Sequence, residues 1–500
     1  MTVRAIALLL VVGAAAACGG KTALLSPGDA APDLPRADVS LPDAPRPPDA
    51  LRPDLAPLPD VPPAPDAPLP VPSTWALSLD GPVAELPEAI AVDSAGNVIV
   101  AGGFAGTIDV GGQTVTAQGS YDVFVVSLSP QGKTRWVLTG GGPGHDTALD
   151  VALDGADNIY VTGEFNGTAT LGGKSVSSAG SGDLFLARLG PAGAVSWLVR
   201  AGGVAVDRGR SVAVDSAGNG YVAGSIGGLA KFGAHPVSTS GFEEVALARF
   251  TSGGAFAWAK SSVSSTWSRA RAVGLGAGGH VYLAGELGDS LALDGKSVKG
   301  QGTSELFVAR LEPDGALAWL VGAGGPKEDR LDALVVDGSG QAYLTGMFTQ
   351  LASFGAHALK TLNTFDRDLF LTRISPGGTF DWAIHSGGYS TLFGAVLAAG
   401  PGGGVILAGY CSFPTKLGPT AICPNVPWKQ DSIYLAEVSP AGAVLWSSAP
   451  TAGLRPTDMA LDADGAPHLL GLFAGSVTLA GATLTASGAD DVFVWKVPAP

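Results

Sequence analysis

The chain has 500 residues with 73 Gly, 36 Pro and only 15% charged residues, a profile that excludes Lys/Glu/Leu-rich helical bundles and favours a turn-rich β protein. Its formal net charge of -15 argues against a nucleic-acid partner, because phosphate binding requires a basic face.

The N-terminus has the features of an export signal. Arg4 precedes the apolar run "AIALLLVVGAAAA", which is too short to span a bilayer, so residues 1–17 are predicted to be a signal peptide. The sequence "AAAC", ending at Cys18, resembles the lipobox of bacterial lipoproteins, which implies cleavage before Cys18 and diacylation of its thiol. The alternative is a secreted protein whose Cys18 is discarded with the signal. Gly19 replaces the Asp that enterobacterial lipoproteins use for inner-membrane retention, so we expect an outer-membrane anchor, facing the periplasm or the cell surface.

Residues 18–73 are predicted to be the lipid-bearing cysteine followed by a disordered tether. The stretch alternates Pro, Ala and Asp with almost no aromatic residue, so it cannot bury enough apolar surface to offset the entropy of ordering. At about 3.1 Å per residue, some 50 residues in polyproline II conformation reach on the order of 150 Å. We expect the tether to hold a head domain away from the membrane.

Residues 74–500 consist of one repeat. In six copies a Gly lies four positions before a Trp, as in "PAGAVSW", and the preceding segments alternate like short strands joined by Gly turns. Each unit is predicted to contain four antiparallel strands with a small hairpin in its middle connection. The repeating tryptophans, which recur at a nearly constant interval, are Trp75, Trp136, Trp197, Trp258, Trp319, Trp382 and Trp446.

Seven such units predict an all-β fold, a seven-bladed β-propeller of four-stranded antiparallel blades. The last unit stops at "DVFVWKVPAP", before its Trp-bearing strand, and the missing strand is present at the other end as "STWALSLDG". We therefore expect the N-terminal and C-terminal strands to pair and close the ring.

The phrases "AVDSAGNVIVAG" and "DLFLARLGPAG", together with the closing Trp, resemble the seven-bladed β-propeller (SBBP) repeat proteins over residues 74–500. The resemblance implies the fold, but members of that family are mostly uncharacterised extracytoplasmic bacterial proteins. The Gly-x-x-x-Trp ending also resembles the tryptophan-docking motif of quinoprotein propellers. That family's cofactor ligands have no counterpart in this sequence, so no cofactor is predicted.

Two sets of repeated acids are interpreted as structural. The first occupies the Asp-x-x-Gly turn between the first two strands, where Gly276 and Gly400 replace it in two units: Asp93, Asp154, Asp215, Asp337 and Asp462. The second precedes the third strand and is expected to bind backbone or hydroxyl groups, with a repeated structural calcium site as the alternative: Asp122, Asp183, Glu244, Glu305, Asp368, Asp431 and Asp491. The six His are scattered, so no metal site is predicted.

A localised function is expected where the units differ, in the connections opposite the Asp-x-x-Gly turns. Exposed aromatics with charged neighbours there fit a glycan or protein contact, while loop drift without function is the alternative. The candidate binding face consists of His145, Asp146, Trp267, Arg269, Lys327, Asp329, Arg330, Tyr389 and Trp428. Cys411 and Cys423, in the longest middle connection of an exported chain, are predicted to form a disulfide.

The sequence therefore predicts a lipid-anchored, extracytoplasmic binding module with an envelope protein or polysaccharide as partner and the membrane contacted through Cys18. The alternative is a glycan lyase or hydrolase acting in the central funnel of the propeller, which requires two convergent acids or a Tyr/His/Arg group. The nearest candidates for such a group are His145, Asp146, Asp329 and Arg330.

Overall fold

The computed structural model describes residues 74–81, 83, 85–240, 242–362, 367–387, 393–400, 402–423 and 431–498. Over these residues the chain forms 43 β-strands and one short 3₁₀ turn, Ala277–Gly279, and contains no α-helix. The prediction of an all-β chain is confirmed. In chain order the strands are β1 (Trp75–Leu79), β2 (Glu85–Val92), β3 (Val98–Phe104), β4 (Thr107–Val110), β5 (Gln113–Thr116), β6 (Asp122–Leu128), β7 (Thr134–Gly141), β8 (Thr147–Leu153), β9 (Ile159–Phe165), β10 (Thr168–Leu171), β11 (Lys174–Ser177), β12 (Asp183–Leu189), β13 (Val195–Gly203), β14 (Arg208–Val214), β15 (Gly220–Ile226), β16 (Leu229–Phe232), β17 (His235–Ser238), β18 (Glu244–Phe250), β19 (Phe256–Ser261), β20 (Val263–Ser264), β21 (Ser268–Leu275), β22 (Val281–Leu287), β23 (Ser290–Leu293), β24 (Lys296–Lys299), β25 (Glu305–Leu311), β26 (Leu317–Ala323), β27 (Arg330–Val336), β28 (Ala342–Thr349), β29 (Leu351–Phe354), β30 (His357–Lys360), β31 (Arg367–Ile374), β32 (Phe380–Gly387), β33 (Phe393–Ala399), β34 (Val405–Cys411), β35 (Thr415–Leu417), β36 (Thr420–Cys423), β37 (Ser432–Val438), β38 (Val444–Ala452), β39 (Leu454–Leu461), β40 (Pro467–Phe473), β41 (Ser476–Leu479), β42 (Ala482–Thr485) and β43 (Asp491–Lys496).

Within the described residues, the longer strands form seven antiparallel sets of four, which we call units 1 to 7. Unit 1 is β2, β3, β6 and β7; unit 2 is β8, β9, β12 and β13; unit 3 is β14, β15, β18 and β19; unit 4 is β21, β22, β25 and β26. Unit 5 is β27, β28, β31 and β32; unit 6 is β33, β34, β37 and β38; unit 7 is β39, β40, β43 and β1. We refer to the first, second, third and fourth strand of a unit in these orders.

The connections alternate between the two ends of each sheet, because neighbouring strands run antiparallel. The turns after the first and third strands lie at one end. The connections after the second strand, and those that lead into the next unit, lie at the other. We call this second end the loop face, and residues 142–146, between units 1 and 2, belong to it.

The seventh unit combines the two ends of the described chain. β1 pairs with β43 in antiparallel register, with Trp75 opposite Lys496 and Leu79 opposite Val492. Leu79 is only 1% exposed. Burying a leucine of this kind stabilises a fold by about 1.5–3 kcal/mol, so β1 is an integral strand of unit 7.

The first strands are in contact with one another between units. Contacts run from β2 to β8, β14, β21, β27, β33 and β39 in turn, and β39 contacts β2 again. Each unit therefore has a neighbour on both sides of its first strand.

The hydrophobic core lies between consecutive units. The second strand of unit 1, Val98–Phe104, has the near-continuous apolar sequence "VIVAGGF", and every residue in it is buried, as expected for a sheet covered on both faces. One core cluster joins Ile99 of unit 1 to Val161 of unit 2. Another joins Val494 of unit 7 to Val100 of unit 1.

Short hairpins tie one unit to the next. Each unit carries a two-stranded hairpin in its middle connection, such as β10–β11 in unit 2. The hairpins of units 2, 3 and 6 pair with the fourth strand of the preceding unit, as β10 does with β7. In unit 4 the partner is β20, which follows β19 of unit 3. These pairings bury polar backbone edges that would otherwise be free.

Tryptophans of the fourth strands make a second set of contacts between units. The indole of Trp319 in unit 4 lies against Gly378 of unit 5, and its Nε1 donates to the carbonyl oxygen of Pro376 at 2.8 Å. Gly378 has φ +83, and a Cβ at this position would come within 2.8 Å of the indole, so glycine is required twice over. Equivalent Nε1–carbonyl bonds, at 2.8–3.2 Å, are made by Trp75, Trp136, Trp197 and Trp382.

The structural roles predicted for the repeated acids are confirmed. Asp93 Oδ1 accepts the backbone N–H groups of Ala95 and Asn97, which fixes the turn between β2 and β3. At the start of a third strand, Asp122 accepts the backbone N–H groups of Gln118 and Gly119. Within the described ranges, no group of three or more His, Cys, Asp or Glu residues is placed to hold a metal ion.

Candidate binding site at the loop face

Each first strand carries an irregularity close to the loop face. In units 1 to 5 the register of the first strand shifts by one residue against the second strand, which leaves one extra residue in a β-bulge. Unit 7 has the same shift. The extra residue varies from unit to unit and is at least partly exposed: Glu88, Leu149, Arg210, Arg271, Asp332 and Thr457.

A cleft of about 340 Å³ opens between units 4 and 5 on the loop face. Three residues of the predicted binding face line it: Trp267, Arg269 and Arg330. We call it the arginine cleft. Its lining residues are Trp267, Arg269, Arg271, Glu286, Thr303, Ser304, Glu328 and Arg330.

Glu286 organises the floor of the arginine cleft. Its carboxylate accepts the Nε and Nη2 groups of Arg271, both at 3.2 Å, and lies 3.6 Å from Nε of Arg269. It also accepts the backbone N–H of Leu331 in unit 5. Because the Glu286 side chain is only 4% exposed, these bonds are largely shielded from water and hold Arg271 in a fixed orientation.

Arg269 is held in a different way. Its guanidinium lies over the Trp267 ring at 4.5 Å, in a cation–π contact. The buried Nε of Arg269 has no hydrogen-bond partner within the described residues. Stacking orients a guanidinium without using the N–H donors at its edge, so Arg269 retains donor capacity for a ligand.

The far wall of the cleft comes from unit 5. Arg330 donates from Nε and Nη2 to one carboxylate oxygen of Asp332, at 2.8 and 2.7 Å. Glu328 is paired with Arg367 at 2.7 Å. Lys327 is exposed on the same connection. Glu328 and Arg330, the two lining residues from this wall, are therefore each already paired with an opposite charge.

A second cleft, of about 160 Å³, lies between units 2 and 3, which is the equivalent place two repeats earlier in the chain. His145 occupies the position that Trp267 has in the arginine cleft. The His145 Nε2 atom lies 3.5 Å from Glu164, which also forms an ion pair with Arg208. The Tyr121 ring packs edge-on against His145 at 5.0 Å. We call this the histidine cleft.

Two candidates for the binding face, Asp146 and Asp329, are corrected by the structure. Both side chains are completely buried. Asp146 accepts the backbone N–H groups of Gly142 and Asn166, and Asp329 accepts that of Gly325 at 2.6 Å. Burial raises the pKa of Asp329 to about 7 and raises that of Asp146. These carboxylates hold the loops together and are not presented to a partner.

The remaining candidates have different outcomes. Cys411 and Cys423 form the predicted disulfide, with 6.7 Å between their Cα atoms. Cys18, Tyr389 and Trp428 lie outside the described residues.

Sequence reasoning missed the charged residues of the first strands. Arg210 and Arg271 occupy the bulges of units 3 and 4, and Arg208, Arg269 and Arg330 lie at the loop-face ends of the first strands of units 3, 4 and 5. Burial lowers the pKa of Arg210, and the positive charge of Arg271 lowers it further. The repeat aligns these positions, so the sequence carries the signal, but it lies at variable positions inside strands and not in the connections.

Acids on the first strands also connect neighbouring units. Asp150 Oδ2 accepts the backbone N–H of Val212 at 2.7 Å, and Asp458 Oδ2 accepts that of Ile90 at 2.8 Å. Desolvation by the surrounding strands raises the pKa of Asp150 to about 6 and that of Asp458 to about 7. These acids join neighbouring units through hydrogen bonds, whereas the turn acids stabilise turns within a unit.

No family model and no curated protein matches the chain. Among solved structures, virginiamycin B lyase from Staphylococcus aureus is similar at 8% identity over 85% of this chain and 99% of that one, with a TM-score of 0.41. A PL25 ulvan lyase is similar at 11% identity over 85% and 96%, with a TM-score of 0.42. The Pan2 WD40 domain of Neurospora crassa is similar at 10% identity over 83% and 90%, with a TM-score of 0.37. At these values none of their activities transfers to this chain.

No helix in the described ranges is long and apolar enough to cross a membrane.

Proposed function

We propose that the protein is a lipid-anchored, extracytoplasmic binding module of the bacterial cell envelope that holds its ligand on the loop face. The observation that carries this proposal is the arginine cleft, an open site that combines an aromatic ring with a stacked arginine whose Nε makes no hydrogen bond among the described residues and lies 3.6 Å from Glu286. Binding sites typically combine aromatic or apolar walls with a few oriented polar groups of this kind.

The proposed scaffold is a closed seven-bladed β-propeller, in which each unit is a blade. Pairing of β1 with β43 supports closure, as do the contacts of first strands from β2 round to β39 and back to β2. The core cluster shared by units 7 and 1 supports it too. Closure matters for the site, because it brings the bulges of the first strands around one central funnel.

The proposed address is the outer membrane, through lipid on Cys18. The lipobox-like "AAAC" and the absence of Asp at position 19 support it, and the Pro-rich residues 19–73 provide the spacer. Two or more acyl chains give stable anchoring where one does not. Protease treatment of intact cells, with a Cys18→Ser control, distinguishes a cell-surface head, which is released, from a periplasmic head, which is protected.

A glycan lyase or hydrolase is the second candidate, and one observation favours it: His145, Tyr121, Glu164 and Arg208 converge at the histidine cleft. A histidine with 41% exposed side chain is accessible as a general base. The acids first considered for catalysis are buried and bound to backbone, which weakens the case for an enzyme. Cleavage of a polysaccharide panel that His145→Gln abolishes would establish the enzyme.

The binding function is tested with the full chain carrying Cys18→Ser, so that it is soluble without lipid. We expect it to bind envelopes isolated from cells that lack the protein, and we expect Trp267→Ala and Arg269→Gln to weaken this binding about tenfold or more, the effect of one anchoring contact. Arg135→Gln is the matched control, because Arg135 lies on a fourth strand and donates to Ser127. Equal binding by all four proteins would refute the assignment of the site.

A further inference from the structure

We propose that the ligand of the arginine cleft is an extended acidic polysaccharide, a chain of uronate sugars that crosses the arginines of units 3, 4 and 5. This inference rests on the proposed binding function and specifies its ligand. It follows from the charge balance, the spacing and the orientation of five arginines: Arg208, Arg210, Arg269, Arg271 and Arg330.

The charge balance leaves Arg210 without an ion pair among the described residues and Arg269 with only a long one, 3.6 Å from its Nε to the Glu286 carboxylate that Arg271 also uses. Arg208, Arg271 and Arg330 are paired with Glu164, Glu286 and Asp332 respectively. In contrast, Nε of Arg210 and Nε of Arg269 are both buried and have no hydrogen-bond partner in the described part of the chain. A poorly compensated guanidinium of this kind costs free energy, and a ligand carboxylate at the partly exposed side of each group would offset part of that cost.

The positive charge is also concentrated locally. The pKa of Arg210 is lowered by burial and then by the nearby charge of Arg271, with smaller contributions from Arg208 and Arg269, while Glu243 opposes this shift and Glu88 also interacts with Arg210. The whole chain, by comparison, has a net charge of -15. Carboxylates are attracted to such a cluster of guanidinium groups, with which they form paired N–H···O bonds.

The spacing of the arginines favours a polymer over a single anion. Arg208, Arg269 and Arg330 recur at the same interval as the tryptophans and occupy the same position in three consecutive units. Arg210 and Arg271 repeat in the same way in the bulges. Since first strands of consecutive units lie side by side, these positions form a curved row across three units. A uronate chain offers one carboxylate on every sugar, which matches a row of repeated cations.

The aromatic ring favours sugar over nucleic acid. Trp267 is half-buried at the cleft and offers an apolar surface to the C–H face of a pyranose, while Arg269 beside it is oriented by stacking. Single-stranded nucleic acid is normally held by several aromatic rings on which successive bases stack. The arginine cleft contains only one such ring among its lining residues.

The test uses the full chain carrying Cys18→Ser and isothermal titration calorimetry with oligogalacturonates of increasing length. We expect affinity to rise at least tenfold from the monomer to oligomers that reach all three units, and to fall as salt is added. Neutral dextran oligomers should not bind. Arg269→Gln, Arg210→Gln and Trp267→Ala should each weaken oligogalacturonate binding about tenfold, and Arg135→Gln should leave it unchanged.

The possible outcomes separate this inference from the binding function. Equal affinity for the monomer and long oligomers, equal binding of dextran, or tighter binding of polyuridylate would each overturn the acidic-polysaccharide ligand. If envelope binding still depends on Trp267 and Arg269 in that case, the binding function stands with another ligand. Circular dichroism and the urea midpoint of each variant show that it is folded, so a loss of binding cannot be assigned to unfolding.

Discussion

The indole N–H of Trp258 has no hydrogen-bond acceptor among the described residues, and this difference from Trp319 gives a matched experiment on what holds the units together. The position equivalent to Pro376, the acceptor for Trp319, is Pro313 for Trp258. The carbonyl oxygen of Pro313 accepts instead from the Tyr221 hydroxyl at 3.0 Å.

Replacing Trp319 or Trp258 with phenylalanine removes the same ring atoms, but only Trp319 loses a hydrogen bond. Trp319→Phe deletes a 2.8 Å hydrogen bond and leaves the carbonyl of Pro376 without this donor, whereas Trp258→Phe removes an unpaired buried N–H. A net hydrogen bond contributes about 0.5–1.5 kcal/mol, and an unsatisfied buried group costs about 1–3 kcal/mol. The loss of apolar area is common to both variants. We therefore expect Trp319→Phe to lower the free energy of unfolding by about 2 kcal/mol more than Trp258→Phe, from these two contributions together.

The measurement is equilibrium urea unfolding followed by far-ultraviolet circular dichroism, since indole fluorescence changes with each variant. Trp382→Phe is the control that should resemble Trp319→Phe, because Trp382 donates to Pro440 at 2.9 Å. Tyr221→Phe removes the hydroxyl that donates to the Pro313 carbonyl oxygen, so this oxygen can accept the Trp258 N–H. In that background Trp258→Phe should therefore become more destabilising. Equal losses of stability for Trp258→Phe and Trp319→Phe would refute the reasoning.

Three further predictions concern stability. Replacing both Cys411 and Cys423 with Ser should lower the free energy of unfolding by about 3 kcal/mol, and thiol titration of the unreduced protein should detect neither cysteine. The hydrogen bond to Asp368 raises the pKa of His385 above 6.5, so protonated His385 adds stability below pH 6.5 that is lost as pH rises through the folded-state pKa. His385→Gln should therefore be destabilising in urea titrations below pH 6.5 and nearly neutral well above it. Deleting β1 should leave β43 unpaired on one edge, and gel filtration should then show unfolded or self-associated protein; an unchanged monomer with an unchanged melting temperature would contradict this.

The regular parts of the fold were predictable because the repeat multiplies weak signals. A single "SVAVD" or "GYVAG" segment is an ambiguous short strand, but its recurrence at a constant interval fixes both strand type and order. The turn role of Asp93 followed from the same logic, since Gly276 fills the equivalent place in another unit. The disulfide followed from chemistry, as two cysteines in one connection of a chain whose N-terminus predicts export.

The site was only partly predictable because β-bulges and loop contacts depend on tertiary structure. A one-residue register shift moves a side chain from one face of a strand to the other, and the alternating pattern of "SRARAVGL" does not predict this shift. Asp146 and Asp329 resembled exposed loop acids because they lie beside Gly and charged residues. Their burial arises from backbone donors contributed by two separate loops in each case, such as Gly142 and Asn166 for Asp146.

The bulge position gives a physical reason to look for a ligand at the arginines. The fold tolerates Leu149 or Thr457 there as readily as a charged residue, so the scaffold itself does not require Arg210. An unpaired, buried Nε at this place costs about 1–3 kcal/mol of stability that Leu or Thr would not. Proteins depart from good local chemistry mainly at functional sites, where the cost is offset by what the site does. Arg210→Leu should therefore stabilise the folded protein while it weakens ligand binding, and that opposition of effects is the signature of a residue retained for binding.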